Sequence, residues 1–458
     1  MLLAALFLGA CAPSVILLTD EPPSHPSVTS TPQSTNDILP TAAARTPMPT
    51  PTRTSDVGAR ADDLKGVEVR LWHGWDGSTA RLLEQMAAEF NISNPWGITI
   101  TPVSLQNFTL LGAEMEKIPA EQGEMVIALP EQILAWQNRV TDLNPYLSLP
   151  DLGFNPADLS AFAAQSNLGE ARLGLPAARS AWFIFYNRSF ARDLGFADAP
   201  QSAEDFKAQA CAANMFWKQD QDLTNDGFGG LALEVSPNWQ SAHAWLSAGG
   251  GETFENNEFH FDTPANISAL EFVDSLRQQD CAWLPDSTTN FDNLASRRAI
   301  FSTGNLSEIT LQSAAFAASG STDEWTLLPF PGNHPGITAY GPDYAILKTD
   351  PAHQLAAWLF IRWMLEPQNQ VRWSVDTGLL PVTLPAITMF QAETASVPQW
   401  KIALSLIPQS LPYPQTAGWR KANKVLADGI FAYFRAYPNA SLPDVLDMMD
   451  ATVHDLIQ

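Results

Sequence analysis

Positive charge is scarce in this chain. Lys and Arg number 25 against 49 Asp and Glu, a net charge of −24 over 458 residues. Such a surface repels phosphate backbones and anionic headgroups, so nucleic acid is not an expected partner. Catalytic signatures are missing as well. There is no Gly-x-Ser-x-Gly elbow, no His-Glu-x-x-His pair and no Gly-x-x-x-x-Gly-Lys phosphate cradle, and the seven histidines are scattered. No cofactor and no metal site is expected. The nearest approach to one is Asp222-Leu-Thr-Asn-Asp-Gly227, which has the opening spacing of a calcium loop. Its twelfth position is Leu233 rather than a bidentate Glu, so a polar turn is the better reading. Beyond the N-terminus no stretch reaches the roughly 18 apolar residues of a membrane helix.

Cysteine is equally sparse, at three residues, and each has its own reading. Cys11 closes Leu8-Gly9-Ala10-Cys11 after an apolar run, the pattern of a lipobox whose cysteine takes a lipid, although no Lys or Arg precedes the run. Residues 1–11 are therefore expected to be a lipoprotein signal, and membrane attachment to be through that lipid only. Residues 12–61, rich in Pro, Thr and Ser, read as a tether with little to pack. In the oxidising compartment this implies, Cys211 and Cys281 would pair across 70 residues; in a reducing one they would be buried thiols.

What the chain does have is apolar residues, 45%, and fifteen tryptophans beside seven tyrosines. The length predicts two domains. Strand-like stretches alternate with helical ones. Val67–Trp72 alternates, and Ser78 reads as the cap of a helix with Leu82, Leu83, Met86 and Phe90 on one face. Ile98–Val103 and Glu124–Leu129 read as further strands. Ligands of such α/β sheets sit at strand carboxyl ends, which nominates Trp75, Asp76 and Glu131. Ser202, Thr263 and Asp350 each sit where a helix should begin. The run Trp182-Phe-Ile-Phe-Tyr186, with no polar alternation, reads as a strand buried on both faces.

The stretch from Leu175-Pro176 to Tyr186-Asn187 resembles the first interlobe crossing of extracellular solute-binding proteins of the sugar-binding type. Five further stretches match that family in order. They are Trp72–Gly77, Pro200–Phe206, Gly249-Gly-Gly251, Ile300–Asn305, and Leu328–Gly332 with Tyr340-Gly341. The resemblance implies an α/β, two-lobe periplasmic-binding-protein-like (type II) fold with a hinge and interlobe cleft. Lobe one would be 62–178 plus 340–373 and lobe two 182–336 plus 374–458, joined by crossings near 177–181 and 337–342. It also implies a carbohydrate solute and an ABC transporter permease as partners. A sugar offers hydroxyls to polar groups and a ring face to indoles. The candidate binding residues are accordingly Trp75, Asp76, Glu131, Ser180, Trp182, Asn238, Trp239, Asn305, Ser307, Tyr340 and Trp419, with Trp239 expected to support no core. Leu306 departs from the family, which has an aromatic or serine-rich loop there, and leaves Asn305 and Ser307 as hydrogen-bond donors. A carbohydrate-active enzyme, a structural surface protein, or a binder of a polyamine, a metal chelate or a glycerol phosphodiester are the alternatives.

Overall fold

The computed structural model describes residues 57–117, 125–160, 167–168, 170–286, 291–436 and 440–457. Cys11 and nearly all of the expected tether lie outside these residues. The tether expectation nevertheless runs too far: Ala59 is buried and Val57 packs on the same core, so chain expected to be free is already folded.

The first sheet contains β1 (Glu68–His73), β2 (Thr99–Ser104), β3 (Met125–Ala128), β4 (Leu175–Pro176) and, from far along the chain, β11 (Asp343–Ile346). Its spatial order is β2-β1-β3-β11-β4. β1 is parallel to β2 and β3, whereas β11 is antiparallel to β3, with Asp343 opposite Ala128. Helices supply the crossovers parallel strands require. α1 (Gly77–Ser93) buries Leu82, Leu83, Met86 and Phe90 as its spacing predicts, but it begins one residue before Ser78, with Asp76 at the cap position and no side-chain cap bond. The same core takes Leu355, Trp358 and Leu359 of the helix Pro351–Met364, whose N-terminus Asp350 caps through the amides of Ala352 and His353.

The second sheet is built around β5 (Ser180–Asn187), all eight residues of which are buried. Trp182, Ile184 and Tyr186 pack into one cluster and Ala181, Phe183 and Phe185 into another, so the period-2 alternation serves two cores instead of separating core from solvent. Its partners are β6 (Gly229–Ala232), β7 (Ala282–Trp283), β8 (Ala299–Asn305), β9 (Trp325–Leu328) and β10 (Thr338–Tyr340), in the order β7-β6-β8-β5-β9, with β10 also paired to β5. The C-terminal helices Trp419–Arg435 and Leu442–Ile457 pack on the Trp182 side of this sheet. Cys211, on the helix Ala203–Trp217 that Ser202 caps, is disulfide-bonded to Cys281 with the Cα atoms 4.4 Å apart.

The chain leaves the first sheet after Pro176 and enters the second at Ser180, then returns between Tyr340 and Asp343. These segments touch, the Ala177 amide donating to the Pro342 carbonyl at 3.0 Å. A Cβ on Gly341 would lie 2.3 Å from the Ala178 carbonyl oxygen, so only glycine allows this approach. Where the sequence suggested two crossings, a third segment runs beside the first: Leu380 exchanges backbone hydrogen bonds with Arg179 at 2.6 and 3.3 Å.

Candidate functional site

Between the two sheets lies a cavity of about 280 Å3 lined by both lobes and by the crossings. From the first lobe come Trp75, Phe108 and Glu131, each placed by the carboxyl end of a strand. Trp75 follows β1; its amide donates to His73 Nδ1 at 3.3 Å, and its carbonyl accepts the Ser104 hydroxyl at 2.5 Å. Burial lowers the His73 pKa to about 4, which keeps that ring neutral and able to accept. Gly74 lets the loop press onto the next helix, since a Cβ there would lie 2.6 Å from the Phe108 amide nitrogen. The Trp75 ring is consequently held edge-on to Phe108, centroids 6.2 Å apart, and against Trp373 at 4.8 Å.

Glu131 lies in the first turn of a six-residue helix directly after β3, and only 4% of its surface is exposed. Burial pushes its carboxyl up to about 7; its own backbone amide opposes the shift, Asp343 adds to it and Arg420 opposes it. Arg420 itself reaches across to the first lobe, 3.1 Å from Glu116. At the crossings the Arg179 guanidinium donates to Asp343 at 2.6 Å and to the carbonyls of Ala178 and Pro342 at 2.9 and 3.0 Å. Both side chains of this ion pair are fully buried, and the pair ties the two crossings to each other. Removing one partner of such a pair leaves an uncompensated charge.

The second lobe presents an aromatic cluster. Trp239 opens the helix Trp239–Ala248, which Asn238 caps by accepting from the Ser241 amide at 2.8 Å. Its ring lies 5.1 Å from Tyr413, 5.4 Å from Trp419 and 6.0 Å from Tyr340, all edge-to-face. Beneath it His243 is buried between Thr338 and Ser247, and burial lowers its pKa to about 4. On the far wall Asn305 Oδ1 accepts from the Ser307 amide and hydroxyl at 2.9 and 2.6 Å, which leaves the Asn305 amide group for the cavity. Glu308, whose carboxyl burial pushes up to about 7, accepts the Asn305 backbone amide from behind.

Seven of the nominated residues therefore share this lining: Trp75, Glu131, Ser180, Trp239, Asn305, Ser307 and Tyr340. Four do not. Asp76 is exposed at the start of α1 and Asn238 is spent as a cap. Trp182 faces the helix-covered core of β5, and Trp419 is fully buried as the support beneath Trp239. Nor is Trp239 free of the core, since it packs against it. Leu306 is likewise core. Sequence reasoning did not nominate Phe108, Arg179, Gln240, Leu379 and Tyr413, which also line the cavity. Arg179 stood inside the quoted crossing, whereas Tyr413, in Leu411-Pro-Tyr-Pro414, carried no signal of its own.

A larger cavity, about 540 Å3, lies beside the crossings among Leu384, Ile387, Leu404, Ile407 and Leu411, with Tyr413 as a shared wall. Among the described residues it has no charged lining residue and, apart from Ser160, draws on the second lobe alone, so the smaller cavity is the better candidate. Among the described residues, Asp222 accepts from Thr224 in an exposed turn, as the polar-turn reading has it. His260, Asp262 and Asp450 gather on the second lobe, but Asp450 is already bonded to the amides of Phe261 and Asp262.

Comparison with solved structures returned the cyclic α-maltosyl-1,6-maltose binding protein of Arthrobacter globiformis (18% identity, 85% of this chain and 99% of that one, TM-score 0.67). It also returned the sugar-binding protein MalE of Xanthomonas citri (16%, 85% and 97%, TM-score 0.70). A third is UgpB of Mycobacterium tuberculosis in complex with glycerophosphocholine (15%, 85% and 98%, TM-score 0.68). At these identities the likeness is one of fold, a MalE-like two-lobe binding-protein architecture. Among curated proteins there is no match in sequence. The model of the bacterial extracellular solute-binding protein family matches residues 85–402, more than half of the sequence. The chain thus belongs to that family, the extracytoplasmic solute-binding components of ABC importers.

Proposed function

We propose that this protein captures a carbohydrate in the interlobe cavity and passes it to an ABC permease, held at the membrane by a lipid on Cys11. The observation that carries this reading is the pairing in one cavity of ring faces from opposite lobes, Trp75 against Trp239 and Tyr340, with the polar groups of Glu131, Asn305 and Ser307. Sugars need both kinds of contact at once. A ligand held by both lobes favours the closed arrangement by its difference in affinity for the two states, and the three crossings supply the hinge. The cavity lies just below the usual ~300–1,000 Å3 of small-molecule sites, which suits one or two sugar rings. Two of the fold relatives are described as sugar-binding proteins. The third carries a phosphodiester, for which this lining is poorly equipped: among the described residues its only cation, Arg179, is already matched by Asp343.

Thermal unfolding across a panel of mono- and disaccharides tests the reading. A true solute at 100 times its dissociation constant stabilises the fold by ~2.7 kcal/mol. A panel without any shift, alongside a clear shift with a glycerophosphodiester, would replace the carbohydrate by that ligand. Mass spectrometry of the membrane-extracted protein for a diacylglyceryl adduct at Cys11 checks the anchor.

A further inference from the structure

We infer that the captured carbohydrate carries a free, unacylated amino group, and that Glu131 is the residue that selects it. The inference rests on the carbohydrate reading just given and narrows it to amino sugars. Glu131 is 96% buried and lines the cavity, and among the described residues its carboxylate is bonded by its own backbone amide and by no other side chain. The other charged lining residue, Arg179, is neutralised by Asp343 at 2.6 Å. Arg420, the further cation that acts on Glu131, is directed to Glu116. Glu131 is thus the one charge of the described lining that forms no ion pair, with only the weaker field of Arg420 opposite it. A buried charge in that position is costly unless something pairs with it.

Neutral hydroxyls could satisfy the carboxylate's lone pairs without cancelling its charge. An ammonium does both. The surroundings favour the same choice. Glu308 stands just behind the lining, and Tyr340, Tyr413, Trp75 and Trp239 contribute aromatic rings, whose faces attract cations. The net charge of −24 adds a long-range attraction for a cationic solute.

Isothermal titration at pH 7.5 of the full chain against D-glucosamine, D-galactosamine and D-mannosamine, each beside its parent hexose and its N-acetyl derivative, tests this. At least one free amino sugar should bind about thirtyfold or more tighter than both of its neutral counterparts, the usual effect of completing a buried charge pair. Glu131→Gln should remove that preference, while Glu131→Asp, which keeps the charge, should retain part of it. Circular dichroism of both variants confirms that they fold. A parent hexose bound as tightly as its amino form, or a preference that survives in Glu131→Gln, overturns the inference but leaves carbohydrate capture intact. Binding of choline or spermidine with no sugar bound in any form overturns both.

Discussion

The two lobes reach the same cavity by different constructions. The first lobe presents its groups singly, each at the carboxyl end of a strand: Trp75 after β1 and Glu131 after β3. The second presents a packed cluster, in which Trp239 is backed by Tyr413, Trp419 and Tyr340 from two other parts of the chain. A strand end is positioned by the backbone ladder and leans on fewer neighbours: Trp75 meets Phe108 and Trp373, whereas Trp239 meets Tyr340, Tyr413 and Trp419. A clustered ring is positioned by its neighbours, so the same atoms serve core and ligand together. Binding and stability should therefore separate in the first lobe and remain entangled in the second.

The largest expected effect lies in the part of the second lobe that touches no ligand. Trp419→Ala removes a fully buried indole from beneath Trp239 and should cost ~3–5 kcal/mol of unfolding free energy by urea titration. A loss below 1 kcal/mol would mean that the cluster is not what positions Trp239. Next comes the Cys211–Cys281 disulfide, which restricts a 70-residue loop in that lobe alone. Changing both cysteines to Ser should cost roughly 2–4 kcal/mol. Hydrogen exchange should locate the loss in the second-sheet helices and leave amide protection in β1 and β3 unaltered; equal loss in both lobes would show that they unfold as one.

The same contrast explains what could be seen in the sequence. Trp75 and Glu131 were legible because a strand followed by a short loop and a helix places its ligand groups by a local rule. Asn305 and Ser307 came from the family pattern, and so did the hinge and interlobe cleft, whereas the α/β alternation and the two domains were legible in periodicity and length. Trp419 and Trp182 were nominated for their chemistry alone, and nothing local distinguishes an indole that supports a site from one that lines it. Tyr413 was invisible because its place depends on packing between residues some 170 positions apart, such as its contact with Trp239. The Arg179–Asp343 pair joins residues 164 positions apart, and no short-range pattern announces such a partner.

A third pair of variants tests the separation directly. Trp75→Ala and Trp239→Ala should each weaken solute binding by about 1–3 kcal/mol. Trp239→Ala should also lower the unfolding free energy, by roughly 1–2 kcal/mol and by more than Trp75→Ala, because it opens the larger aromatic cluster as well as the cavity. Equal destabilisation by both would erase the distinction between strand-end and cluster sites, since Trp75 also lies against Trp373.

The smallest effect concerns the unliganded first-lobe site and carries a definite sign. Glu131 titrates near its usual carboxylate range in the unfolded chain and at about 7 in the folded one, chiefly through burial. Between those values the folded state binds the extra proton, so stability falls as pH rises through this window and the penalty is complete above about 7. Glu131→Gln mimics the neutral acid and has no such penalty. Without ligand the variant should match the wild type near pH 4 and exceed it at pH 8 by on the order of 1–2 kcal/mol. Glu308 shifts in the same direction, but it is present in both proteins and cancels in the comparison, as do the charges of Asp343 and Arg420 to first order. Urea unfolding at the two pH values measures the difference. If the variant were less stable than the wild type at pH 8, the Glu131 carboxylate would already have a favourable partner in the empty cleft, and the strand-end group would be structural after all.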